Sequence, residues 1–230
     1  MIVDFRQRLS DSPLVESVMH GFTSKAASVI RPAESCWHLV IVREQGNTHT
    51  IVTGPLPTSG VASWGEGGEI LWIKFKLGVF MPHLPTRRLM DRETNLPSAS
   101  RNTFWLRDAS WQLPDFENAD TFVDRLMKDE LLTFDPLVQE VLKGGRPDVP
   151  PRTLRHRFLQ ATGLSHGYLQ QMNRAQQAAT LLEQGASIAD TVFDLSYYDQ
   201  PHLNRALKQF VGYTPGQILR ASRLDSSTSL

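Results

Sequence analysis

Between Ser187 and Pro215 the chain reads SIADTVFDLSYYDQPHLNRALKQFVGYTP, a stretch whose apolar spacing and stop signals specify two short helices around a tight turn. Ser187 and Asp190, three apart, are suited to satisfy the open N-terminus of the first helix, and Ile188, Val192 and Leu195 fall on one face. The chain then reverses at Ser196-Tyr197-Tyr198. Asp199 offers a carboxylate cap to the second helix, and Pro201 sits in its first turn, where a missing N–H costs nothing. Leu203, Ala206, Leu207 and Phe210 point inward, and Gly212 lies just past the end. This is the layout of a helix-turn-helix.

What the second helix leaves outside is Gln200, His202, Asn204, Arg205, Lys208 and Gln209. Asn and Gln pair bidentately with adenine, Arg pairs with guanine, and Lys binds phosphate, so this face has the chemistry of a major-groove reader. An isolated polar helix face is more often simply solvated, and the upstream sequence decides the matter. PPRTLRHRFLQATG, residues 150–163, is a second cationic helix. Its prolines fit only the first turn, Leu154 and Phe158 face inward, and Gly163 ends it. Its outward residues are Arg152, Thr153, Arg155, His156, Arg157 and Gln160. From Ser165 to Glu183, Tyr168, Met172, Ala175, Ala179 and Leu182 repeat in steps of four and three until Gly185, which specifies one long connecting helix. A rigid spacer of this kind is expected to set two readers on major-groove faces about 10 base pairs apart.

The ordered series Arg152-Thr153-Leu154-Arg155-His156-Arg157-Phe158, Ala161-Thr162-Gly163-Leu164-Ser165, Arg174-Ala175, Leu181-Leu182-Glu183-Gln184-Gly185, Ser187-Ile188-Ala189, Tyr197 to Leu203, Lys208-Gln209-Phe210 and Gly212-Tyr213-Thr214-Pro215 resembles the AraC/XylS-type transcription regulators. The resemblance implies two helix-turn-helix motifs joined by a linker helix, with residues 152–160 and 200–209 as the reading helices. It departs from the family in two places. The turn that usually carries Gly holds Ser196, which must either adopt a left-handed backbone at some cost or let the turn open. The connector Gly144-Gly145-Arg146-Pro147-Asp148-Val149 is longer than an ordinary helix-turn-helix turn, and the helix expected to brace the first reader is Pro136 to Lys143.

Charge supports the same division. The 24 basic and 24 acidic residues cancel overall. Residues 146–223, however, hold nine basic against five acidic, a net +4, which leaves the rest at −4. A cationic C-terminal part beside an acidic N-terminal part suits a nucleic-acid module attached to something else.

Before residue 117 the pattern changes in kind. Residues 37–42, 49–53 and 70–75 are β-branched and aromatic runs separated by Glu44-Gln45-Gly46-Asn47, Gly54-Pro55-Leu56-Pro57 and Gly65-Glu66-Gly67-Gly68, so strands of a small antiparallel sheet or barrel are expected. In the last run, alternation puts Leu71, Ile73 and Phe75 on the side opposite Ile70, Trp72 and Lys74. Residues 80–113 read as irregular, and 118–131 as helix. Regulators that resemble this one commonly carry a cupin-like domain here, an analogy of architecture with no matching effector residues.

The expected fold is therefore α+β: a β-rich, cupin-like segment 1–116 for effector binding or association, a helical connector 117–145 that also starts the first helix-turn-helix, an all-α DNA-binding domain 146–223 and a flexible tail 224–230. Candidate DNA contacts are Arg152, Thr153, Arg155, His156, Gln160, Gln200, His202, Asn204, Arg205 and Lys208. Partners compatible with this reading are double-stranded DNA, a small-molecule effector, RNA polymerase and a second copy of the chain. The alternative is a ligand-binding β-domain with a helical interaction module that does not touch DNA.

Other chemistries find little support. His38, His49 and His83 stand singly, without the paired-histidine spacing of a cupin metal site, so neither metal nor cofactor is expected. The glycines around Glu66 lack the helix and lysine of a phosphate cradle, no serine has a nucleophile-elbow context, and an enzyme is not expected. The lone Cys36 reads as a small buried apolar residue, and the tryptophans as core more than as a ligand pocket. With no signal core and no apolar run near the roughly 18 residues of a membrane span, a cytoplasmic protein is expected.

Overall fold

The structure, a computed structural model, describes residues 3–228, and the side chains of residues 5–222. It is α+β, with β-structure first and helices after. The strands are β1 (Val3–Leu9), β2 (Val15–Thr23), β3 (Ala27–Arg31), β4 (His38–Glu44), β5 (Asn47–Thr53), β6 (Gly60–Trp64), β7 (Glu69–Phe75), β8 (Val79–Phe80), β9 (Glu93–Leu96), β10 (Ser98–Ser100), β11 (Thr103–Leu106), β12 (Ala109–Gln112) and β13 (Thr133–Phe134). The helices are α1 (Thr86–Leu89), α2 (Ala119–Lys128), α3 (Pro136–Leu142), α4 (Pro151–Thr162), α5 (His166–Glu183), α6 (Ile188–Asp194), α7 (Gln200–Phe210) and α8 (Pro215–Thr228). No described helix is long and apolar enough to cross a membrane.

The chain divides into two compact units: the first comprises residues 1–28, 35–55 and 63–165, and the second 29–34, 56–62 and 166 onward. This differs from the segments expected from sequence, because α4 packs with the β-rich part while two short N-terminal segments pack with the helices.

In the first unit a six-stranded antiparallel sheet has the order β1-β2-β7-β4-β5-β9. The expected strands and the 44–47 turn are present, and Gln45 and Gly46, both at positive φ, close the two-residue hairpin. Leu71, Ile73 and Phe75 are fully buried as the alternation of β7 requires, although Ile70 on the other face is buried too. Trp37 stacks on Phe75 at 3.8 Å, and its indole N–H donates to the Val79 carbonyl (2.8 Å). The core continues through Phe104, Trp111, Phe122 and Leu126, and the 80–113 stretch expected to be irregular holds a helical turn, the edge strand β9 of the six-stranded sheet and a separate three-stranded sheet β10-β11-β12. Of the tryptophans, Trp37 and Trp111 are core, whereas Trp105 is 45% exposed. Cys36 is buried, and His38 is buried beneath the indole N–H of Trp72.

In the second unit Ala178, Ala179 and Leu182 of α5 pack with Tyr197, Leu203, Leu207, Val211 and Ile218. The residues expected to fray from 224 continue α8 as far as Thr228, while 229–230 lie outside the described residues.

Candidate nucleic-acid interface

The first cationic face is carried by α4. Pro150 and Pro151 take the N-cap and first helical positions, and no side chain caps this end. Phe158 and Ala161 are buried and Leu154 half-buried, which turns Arg152, Thr153, Arg155, His156 and Gln160 to solvent. Neither Arg152 nor Arg155 has a carboxylate partner among the described residues. Gly163 ends the helix at φ +72, a left-handed position where Gly carries no Cβ penalty.

Arg157 corrects the outward face expected of this helix. Its Nε donates to Asp135 Oδ2 (2.7 Å) and its Nη2 to Asp135 Oδ1, a bidentate pair that holds the guanidinium charged above its ordinary range. Asp135 is itself nearly buried, and its carboxylate also accepts the Leu137 N–H as the N-cap of α3. Its backbone N–H donates to the Gly78 carbonyl beside β8. Asp135 therefore ties α3 and α4 together through its carboxylate and the segment before β8 through its N–H, and Arg157 is committed to this pair although its side chain stays 37% exposed. The expected brace is present as α3, followed by the eight-residue connector 143–150.

The second face is carried by α7, and its local signals are stronger. Ser187 accepts the Asp190 N–H (3.1 Å) to cap α6, and Asp199 accepts the His202 N–H (2.7 Å) to cap α7. Between them Ser196 is left-handed at φ +53, while its N–H reaches Phe193 O and the Tyr197 N–H reaches Val192 O. Of the two options open to this serine, the chain takes the strained one and keeps the turn tight. Tyr197 is buried beneath the Arg174 guanidinium, 4.6 Å from its ring centre; burial pushes the phenol up, and Arg174 partly offsets the shift.

Leu203, Leu207 and Phe210 are buried, so Gln200, Asn204, Arg205 and Lys208 face solvent. Two expected reader positions are partly committed elsewhere. His202 is half-buried, edge-on to Tyr197, with Nδ1 accepting the Tyr198 N–H at 3.4 Å; Gln209 Nε2 donates to the Tyr168 hydroxyl at 3.4 Å.

Sequence reasoning missed what holds the other end of α7. The Ala33 N–H donates to Phe210 O (2.7 Å), and Ser59 donates through its N–H to Gln209 O (2.7 Å) and through its hydroxyl to Lys208 O (3.1 Å). These are the carbonyls that a helix C-terminus leaves unsatisfied. The same segments accept from α5: the Tyr168 hydroxyl donates to Pro57 O (2.8 Å) and Gln176 to Ala33 O (2.9 Å). Gly212, at φ +88, lies so close to Ile30 and Ser59 that a Cβ would collide. Nothing in RPAE or LPTSGVA announces such a role, since the donors are backbone groups and one serine.

A family model described as a helix-turn-helix domain matches residues 146–221, which contain α4 through the body of α8. No curated protein matches the chain in sequence. Among solved structures, ToxT from Vibrio cholerae is similar at 11% identity with a TM-score of 0.38, over 94% of this chain and 97% of that one. ToxT bound to (E)-4-(8-methylnaphthalen-1-yl)but-3-enoic acid matches equally loosely, at 11% identity and TM-score 0.38 over 95% and 99%. Superpositions this loose transfer no residue.

Proposed function

Starting from residues 146–221 as a helix-turn-helix domain of the AraC type, we propose a sequence-specific transcription regulator in which α4 and α7 both read base edges. The observation that carries the reading is the pair of exposed faces, each cationic or amide-bearing and each free of carboxylate partners among the described residues. On α7, Gln200, Asn204 and Arg205 are the base readers and Lys208 is a phosphate contact; His202 fixes the turn as well as facing outward. On α4, Arg152, Thr153, Arg155, His156 and Gln160 play the corresponding parts, without Arg157.

The β-rich part is proposed to supply the control input, through a small molecule or self-association. Support for association is β1, which stands at the edge of the order β1-β2-β7-β4-β5-β9 with no strand on its outer side among the described residues, and the exposed Leu9 and Phe22 on β1 and β2.

Arg205→Ala is expected to relax preference at one position of the selected site by on the order of 1–3 kcal/mol. Lys208→Ala is expected to weaken all sequences alike and make the log–log salt slope shallower by about one. An unchanged sequence profile in the first variant, or an unchanged salt slope in the second, contradicts the assignment. A wild-type chain that leaves a DNA column at low salt supports the non-binding interaction module instead.

A further inference from the structure

The helix-turn-helix match begins at residue 146, yet the cationic surface of α4 extends beyond it. Helix α1 lies against α4, fastened in two ways, while its Leu89 is buried in the sheet core. The Thr86 hydroxyl donates to Ala161 O (3.3 Å). At Gly163 a Cβ would meet Met90 Sδ at 2.8 Å and the Arg87 Cα at 3.5 Å. This seating brings Arg87 into a groove of about 570 Å³ with Arg152, Arg155, His156 and Gln160, over Leu159. No carboxylate lines the groove, and Arg87 has no ion-pair partner among the described residues.

Three arginines border one groove with no carboxylate among its lining residues, and an anion is what such a concentration of positive charge attracts. The volume accommodates a length of sugar–phosphate, not just a single ion. A helix that reads base edges is bordered by the backbone strand of its groove, so a cation fixed at its flank meets phosphate and not bases. Resting on the DNA-reading role of α4, we infer that Arg87 is a phosphate contact, supplied to the first reader from outside the helix-turn-helix domain. Its backbone is preorganised by the buried side chains of Thr86 and Leu89, so the contact orders only the arginine side chain itself.

The test uses the full chain and its variants Arg87→Ala and Arg87→Lys, titrated with a selected duplex and with an unrelated duplex of equal length across a salt series. Arg87→Ala is expected to weaken both duplexes by the same factor, about tenfold near 0.1 M salt, and to lower the slope by roughly 0.9. Arg87→Lys, which keeps the charge, is expected to restore the slope. Wild-type affinity and slope in Arg87→Ala overturn the inference. So does tighter binding, which would make the arginine an obstruction, or a loss confined to the selected duplex. If the wild-type chain binds neither duplex, the DNA-reading role fails and this inference with it; if it binds both and Arg87→Ala is silent, only the phosphate role falls.

Discussion

Helices α4 and α7 do the same proposed job and are held in place by different physics. The first is anchored by charge. Arg157, on the reader itself, is withdrawn to pair with the nearly buried Asp135, and no side chain caps the N-terminus, where Arg152 and Thr153 sit. The second is anchored by apolar burial of Leu203, Leu207 and Phe210, capped at its start by Asp199 and at its end by Ser59 and Ala33. A reader can therefore be fixed by surrendering one of its cations, or can keep its cations Arg205 and Lys208 outward, with only His202 and Gln209 partly committed, if neighbouring segments satisfy its ends. Because both ends of α7 are capped, more of the base discrimination is expected to come from it.

The largest expected effect that tests this contrast is at the two terminal glycines. Gly212→Ala forces a Cβ into a left-handed backbone and against the β-branched, rotationally stiff Ile30, and should destabilise the fold by about 3 kcal/mol. Gly163→Ala meets the flexible tip of Met90 first and should cost about half as much. Denaturant melts of the two variants give the ranking, and equal losses would show that the C-terminal clamp on α7 adds nothing.

Next comes Asp135→Ala, which removes the bidentate partner of Arg157 and the cap of α3 together. A loss of about 2 kcal/mol is expected. Weaker DNA binding should follow, with altered preference only at bases assigned to α4 by Arg155→Ala. A variant as stable as wild type would remove the charge anchor from the account.

The smallest effect is expected at Ser196→Gly. Relief of the left-handed serine is worth about 1–2 kcal/mol, and the greater unfolded-state freedom of glycine takes back part of it, so a net gain of several tenths is expected as a rise in Tm. A lower Tm would show that the serine makes a compensating contact in the turn.

The helical punctuation was legible in the sequence because each signal is local. Asp199, Ser187, Gly163, Gly185 and Gly212 act within a turn or two of themselves, and each takes the role its type suggests. The strands with clean apolar runs, β4, β5 and β7, were legible for the same reason. β1 and β2 were not, since VDFRQRL interleaves its few apolar residues with charge and VESVMHGFT lacks strict alternation. Arg157 misleads because a cation on a helix reads as solvent-facing until its partner 22 residues upstream is known. The placement of Arg87 beside α4 and the contacts of Ala33 and Ser59 with α7 span 75 to 177 positions, through groups with no distinctive chemistry, and no window along the chain contains them.

The most direct measurement is selection of binding sites from random duplex DNA by the full chain, repeated with Arg155→Ala on α4 and with Arg205→Ala on α7. Wild type is expected to enrich a defined motif, Arg155→Ala to blur one block of its bases and Arg205→Ala a different block. Absence of any enriched motif, or the same motif recovered unchanged by all three proteins, would contradict the account.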